Sequence, residues 1–218
     1  MKAITRTTRL LIFLFLISCG ARAALAVSYG VAGNPETDTV SFASSATLEF
    51  IEGKTTKLVG GFDFDPTHPD SAVTGMLRAD LASLKTGIEL RDEHMREKNL
   101  QTDKFPYAYF QLLSVSGMPD TVKPGEVYSV VGDGYFFIHG VKRKIAPRIQ
   151  FLIPTDVDSD SKVNVSALFS LKLDDYGIKR PKALFLKLAE TIDVSVMFSA
   201  HKDLSVADIQ LPEWSEVQ

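Results

Sequence analysis

From about residue 27 onward, apolar and polar positions alternate with a period of two. Leu58, Gly60, Phe62 and Phe64 interleave with Val59, Gly61, Asp63 and Asp65. Val73, Gly75, Leu77, Ala79 and Leu81 repeat the pattern, as do Ile145, Pro147, Ile149, Phe151 and Ile153. Ile192, Val194, Val196 and Phe198 repeat it once more. Successive side chains of a strand point to opposite faces, so these runs predict antiparallel strands with one buried face. Pro147 lacks the N–H that a ladder needs and predicts an edge or a bulge.

Turn chemistry separates the runs. Residues 65–70 hold two prolines and predict a loop, as do residues 117–125 with Pro119 and Pro124. Gly132-Asp133-Gly134 and His139-Gly140 read as turns that cut 126–153 into a meander of short strands. Residues 156–162 form a polar connector. Two stretches break the period. Residues 88–100 are charged and predict a short helix, with Ile88, Arg91, Met95 and Asn99 on one face. Residues 181–189 predict a helical turn with Pro181 at its first position. Eight or so strands with scant helix make an all-β fold, either a closed antiparallel barrel or a two-sheet sandwich. Alternation alone does not separate the two.

Composition adds the compartment. Residues 1–26 carry Lys2, Arg6 and Arg9 ahead of Leu10 to Ile17, a run of eight apolar residues. That run is too short to span a membrane, which takes about 20 apolar residues. Small residues at Ala24-Leu25-Ala26 then suit a cleaved export signal, with a mature chain starting at Val27. A second reading of the same segment is sharper. Leu16-Ile17-Ser18-Cys19 resembles a lipobox, in which Cys19 would be lipidated and anchor the protein to a membrane. Cys19 is also the only cysteine, which excludes an intrachain disulfide and a multi-cysteine metal site. Without the leader, 20 basic residues face 27 acidic ones. That acidic balance argues against general nucleic-acid binding. The expected organisation is a signal over 1–26, one β domain over 27–204, and an acidic tail over 205–218.

Catalytic signatures are missing. No Gly-x-Ser-x-Gly elbow, His-Glu-x-x-His helix, Walker loop or GxGxxG motif occurs. His68, His94, His139 and His201 lie far apart in sequence, so neither a metal site nor a cofactor is expected. The acids of Asp63/Asp65 and Asp174-Asp175 read as solvated.

Four blocks carry a family likeness. They are Gly60-Gly61-Phe62-Asp63-Phe64-Asp65-Pro66, the stretch from Leu81 to Arg96 with Ser83, Thr86-Gly87 and Arg91-Asp92-Glu93-His94, Phe105-Pro106-Tyr107-Ala108-Tyr109-Phe110, and residues 134–144. A weaker fifth runs from Leu171 to Ile178. In order and spacing they resemble the YceI-like, polyisoprenoid-binding family of bacterial periplasmic proteins. The chain departs from that pattern over residues 34–42 and at Thr47-Leu48-Glu49-Phe50.

The resemblance implies a lipocalin-like, eight-stranded antiparallel barrel around an apolar channel that holds an isoprenoid chain. The implied lining is Phe42, Phe50, Phe62, Phe64, Leu77, Phe110, Phe137, Phe151, Phe169 and Phe198. Each of these suits a plain core equally well. Arg91 and His94 are the candidates for a polar head group, since a guanidinium fork fits a phosphate or a quinone carbonyl. Lys142-Arg143-Lys144 reads as an exposed edge after a hairpin. The expected protein is a periplasmic, non-enzymatic carrier whose partner is an isoprenoid or similar amphipathic lipid. Homodimerisation and, through Cys19, membrane association are further options. The rival is an envelope protein whose barrel is filled by its own side chains. A lipid-modifying enzyme would need titratable groups clustered at the channel mouth.

Overall fold

The structure, a computed structural model, describes residues 27–45, 50–69, 71–155, 161–180, 182–183, 186–187, 189–202 and 204. The leader with Cys19, the 205–218 tail and residues 156–160 of the polar connector lie outside the described residues.

The strands are β1 (Val27–Ala32), β2 (Thr39–Ser45), β3 (Phe50–Thr55), β4 (Leu58–Phe64), β5 (Thr74–Asp80), β6 (Tyr107–Ser116), β7 (Val127–Ile138), β8 (Val141–Ile145), β9 (Arg148–Leu152), β10 (Lys162–Lys172), β11 (Lys182–Ala183), β12 (Leu186–Lys187) and β13 (Thr191–Lys202). They pair antiparallel in the order β1, β4, β5, β6, β7, β9, β10, β13. β13 then returns to β1 through Tyr29↔Lys202 and Gly30↔His201. The ladder is therefore a closed eight-stranded barrel, and the sandwich is excluded. β2 continues beside β13, with Val40 opposite Val196, and β3 pairs with β2. Thus β1/β2 and β3/β4 are each one barrel strand broken in the middle.

The strand period sets what the barrel contains. Phe62 and Leu77, then Phe110, Phe136, Ile149, Val165 and Val196, all point inward. One end is sealed by packed rings. Tyr29 stacks on Phe62 at 5.6 Å, and Phe64 meets Phe151 edge-on at 5.6 Å. Offset and edge-to-face ring contacts each add about 0.5–1.5 kcal/mol beyond their burial. Val31 and Ala200 at this end are fully buried.

Three expectations are corrected. Gly132-Asp133-Gly134 is not a turn, because β7 runs through it unbroken. These glycines are there for space: a Cβ at Gly132 would lie 2.7 Å from Ile149 Cδ1, and one at Gly134 would meet the Gln111 carbonyl. Second, described residues within 181–189 form a hairpin of β11 and β12, Ala183 opposite Leu186, rather than a helical turn. Third, Asp65 is buried, not solvated. The His139-Gly140 turn does occur, with φ of 53° and 79°, the twist a two-residue hairpin requires. Pro147 marks a break between β8 and β9, where the Pro147 carbonyl accepts the Gly132 N–H at 3.0 Å.

Asp65 organises the loop at the sealed end. Its carboxylate accepts the Thr67 N–H at 2.9 Å, the Thr67 hydroxyl at 2.6 Å and His68 Nδ1 at 2.9 Å. The Thr67 hydroxyl first, and the His68 bond second, hold its pKa down from 3.8 to about 2. A carboxyl lowered on folding stabilises the native state above its unfolded pKa, and that stability is lost as pH falls toward the folded value. We expect the parent to lose more stability than Asp65→Asn between pH 4 and pH 2. Denaturant unfolding at the two pH values checks this; parallel losses would show that the carboxylate contributes nothing.

Candidate functional site

The barrel encloses a cavity of about 520 Å³. Phe62, Leu77, Phe110, Ala167, Phe169 and Val196 surround its middle. Several of these inward residues, Phe62 and Leu77 among them, are only half-buried although they face the barrel axis. They look onto open interior rather than onto neighbouring side chains. A volume of a few hundred Å³ with apolar walls is the size of a small-molecule site.

The cavity reaches the surface beside the segment between β5 and β6. Here Leu84 is buried, and Lys85 exchanges two backbone hydrogen bonds with Lys54 of β3, at 2.9 and 3.0 Å. Gly87 follows with φ +87°, and a Cβ there would meet nothing within 4 Å. Helix α1 (Glu89–His94) comes next and widens into a π-helical turn over Met95–Leu100. Gln101 ends it in the left-handed region, φ 50°. π-helical turns are rare and recur at functional sites. This one keeps Ile88, Arg91, Met95 and Asn99 on the cavity side: all four line it.

A polar clamp fixes the segment. Buried Asp92 accepts the Thr86 N–H at 2.8 Å and the Thr86 hydroxyl. Thr86 in turn accepts Arg91 Nε at 2.8 Å on its hydroxyl and Nη2 at 3.1 Å on its carbonyl. Arg91 is thus held at the mouth by a neighbour that is itself held by a buried carboxylate. Asn99 Nδ2 donates to the Lys179 carbonyl at 2.7 Å and ties the helix to the far rim. Among the described residues, Arg91, His94 and Lys179 are the basic ones that line the cavity, and no Asp or Glu lines it.

Of the residues singled out in the sequence, Phe42, Phe62, Phe64, Leu77, Phe110, Phe151, Phe169 and Phe198 line this cavity, together with Arg91 and His94. Phe50 and Phe137 do not, and both are corrected. On β3 the inward positions are Ile51, Gly53 and Thr55, so Phe50 points out and is 66% exposed. On β7 the inward positions are Val130, Phe136 and Ile138, so Phe137 turns to the other face of the sheet, where it is fully buried beside Tyr135 with Lys142 over its ring. Tyr135-Phe136-Phe137-Ile138 has no polar partner to reveal its phase, which is why its register was unreadable. The basic triplet of β8 is occupied: Lys142 over Tyr135, Arg143 on the Asp175 carbonyl, Lys144 with Asp133.

Two groups of lining residues were missed. Val163, Val165, Ala167 and Leu171 of β10 alternate with Asn164, Ser166 and Ser170, a period-two signal present in the sequence. Lys179 carried no sequence signal, since only the fold brings it to the rim. Among the described residues there is no group of three or more His, Cys, Asp or Glu side chains placed to hold a metal.

A family model described as a YceI-like domain matches residues 32–200. Among solved structures, a polyisoprenoid binding domain from Saccharophagus degradans, implicated in plant cell wall breakdown, superposes with a TM-score of 0.60 at 18% identity. It covers 81% of this chain and 98% of its own. BcnA from Burkholderia cenocepacia gives 0.61 at 14% identity, covering 78% and 98%. The YCEI protein of Campylobacter jejuni gives 0.59 at 17%, covering 71% and 86%. At these identities the likeness speaks to the fold. No curated protein sequence matches the chain.

Proposed function

The chain belongs to the YceI-like family, and from that premise we propose that it binds one amphipathic isoprenoid lipid, of polyprenyl or quinone type, in its barrel and carries it through the periplasm. The observation that carries this reading is the cavity of about 520 Å³ with apolar walls. A barrel filled by its own side chains at protein density would leave no such space. The description of the Saccharophagus domain as polyisoprenoid-binding supports the ligand class.

The energetics suit a chain without special chemistry along its length. Burying apolar surface gives about 25 cal/mol per Å², or about 0.8 kcal/mol per CH₂. Several isoprene units gain on the order of ten kcal/mol before association and ordering costs. Arg91 and His94, with Lys179, receive the head group at the mouth. The mature protein starts at Val27 after signal cleavage; a lipidated N-terminal Cys19, seen by mass spectrometry, would instead make it membrane-anchored.

The test is to extract purified protein with organic solvent and identify what it held, then to measure uptake of prenyl lipids and quinones from detergent micelles. Protein that comes empty and takes up neither refutes the carrier. In the same assay His94→Ala is expected to keep its fold and to lose less than about tenfold in affinity, the loss of one exposed hydrogen-bonding side chain. If His94→Ala unfolds, the residue is structural and its head-group role falls.

A further inference from the structure

We infer that the mouth of the barrel is a membrane-docking surface: the apolar tip at Ile88 and Leu90 inserts into the interface of a phospholipid bilayer and opens the cavity onto it. The inference rests on the carrier reading above.

Ile88 and Leu90 have a combination of properties that no other large apolar residue shares among the described residues. Each lines the cavity, and each is also exposed, by 51% and 62%. Apart from Phe50, the remaining large exposed apolar side chains described, Leu113, Val127, Val131, Leu168, Met197 and Leu204, do not line the cavity. The lining therefore continues out of the barrel onto the surface at one place. Phe50 opens β3, and the other end of that strand runs beside this segment: Lys54 pairs with Lys85, and a Cβ on Gly53 would lie 3.1 Å from Thr86 Cγ2. Phe50 is the most exposed large apolar side chain described.

The frame around the tip is rigid while the tip itself is uncovered. Lys85 is tied to β3 by two backbone hydrogen bonds, and Asp92 is tied to Thr86. Between these anchors Gly87 stands in open space with positive φ. The chain is thus pinned on both sides of an apolar point that nothing described covers. Exposing Ile88 and Leu90 together costs about 25 cal/mol per Å² in water, and a bilayer interface relieves it.

The occupant is a bilayer and not a protein for a chemical reason. The proposed cargo dissolves in lipid and not in water, so its source is a membrane. A doorway whose sill is apolar lets the chain pass from acyl region to cavity without crossing water. Lys54 and Lys85, paired through their backbones beside the tip, and Lys179 at the rim are exposed cations of the kind that attract lipid phosphates. Glu89 and Glu93 on α1 are exposed too, so the net field is weak and the apolar contact dominates. Docking should therefore survive added salt.

The experiment compares two presentations of one fluorescent prenyl lipid. In the first it is offered from detergent micelles, in the second from vesicles of phosphatidylethanolamine and phosphatidylglycerol. For Ile88→Ser combined with Leu90→Ser, transfer from vesicles is expected to fall at least about tenfold. Because both residues line the cavity, affinity from micelles falls too. The docking surface stands only if the loss from vesicles exceeds the loss from micelles by at least about threefold; equal losses overturn it. Leu168→Ser with Met197→Ser, on the barrel wall, should transfer from vesicles like the parent. As a direct readout, the emission of Leu90→Trp should shift to the blue when vesicles are added, at low and at high salt. Equal vesicle transfer by the mouth variant and the parent, or an equal loss in the wall variant, overturns the docking surface and leaves the carrier standing. Failure of the parent to take up lipid from micelles overturns both.

Discussion

Leu77→Asp is expected to abolish lipid uptake and to unfold the protein or bring it to the edge of unfolding. Leu77 sits on β5, opposite Gly60 of β4 and Phe110 of β6, and lines the middle of the cavity. A carboxylate there would face Phe62 and Phe110. The basic side chains that line the cavity belong to the mouth segments, Arg91 and His94 on α1 and Lys179 beyond β10. An unpaired ion in such surroundings costs several kcal/mol even after relaxation. A domain of this kind has only about 5–15 kcal/mol in hand. Should the barrel survive, the acid would have to stay protonated or draw in water, and either outcome replaces the apolar wall that holds an isoprenoid. Circular dichroism during thermal unfolding reads the first effect and micelle uptake the second. A variant that folds and binds like its parent would show that the interior is wet, and the cavity could not then be a lipid site.

The same residue shows what was legible beforehand. Wherever a strand has one polar and one apolar face, the sequence displays the phase, so the inward set on β4, β5, β9 and β13 was readable residue by residue. Legibility failed where both faces are apolar or where space, not polarity, sets the choice. Phe137 follows two other aromatics, Tyr135 and Phe136, so the sequence does not show which of the three faces the interior. Gly132 and Gly134 read as turn residues in the sequence, whereas the fold needs them because Ile149 and the Gln111 carbonyl crowd the positions a Cβ would fill.

Closure of the barrel was illegible for a different reason. The barrel closes where β13 pairs with both halves of the first broken strand, through two residue pairs with β1 and five with β2. These pairs join the first described barrel strand to the last, and no local pattern encodes a contact at that separation. The mouth divides in the same way. Ile88, Arg91, Met95 and Asn99 were placed on one face by helical spacing. The buried Asp92–Thr86 clamp and the arrival of Lys179 depend on packing between segments distant in sequence.

Ala167→Trp is the substitution that separates an open barrel from a filled one, and it is expected to remove lipid uptake while leaving the barrel folded. Ala167 lies midway along β10, between Ile149 of β9 and Val196 of β13, with its methyl toward the cavity. In a tightly packed interior an indole at that point would force off-rotamer side chains and shift strands, at a typical cost of 1–3 kcal/mol or more. In a cavity of about 520 Å³ the indole has somewhere to go, and it buries its own apolar surface against the opposite wall. Stability should then stay near or above that of the parent. The bound chain, however, needs the same space, so its affinity should fall by at least about a hundredfold if even four or five methylene-sized contacts are lost at about 0.8 kcal/mol each. The two readouts move together only if the barrel is solid: a variant that loses stability in proportion to its loss of uptake would mean the ring fits nowhere. Stable protein that no longer takes up lipid would mean the indole occupies the place an isoprenoid normally fills, and that the open interior is kept for a ligand rather than for the fold.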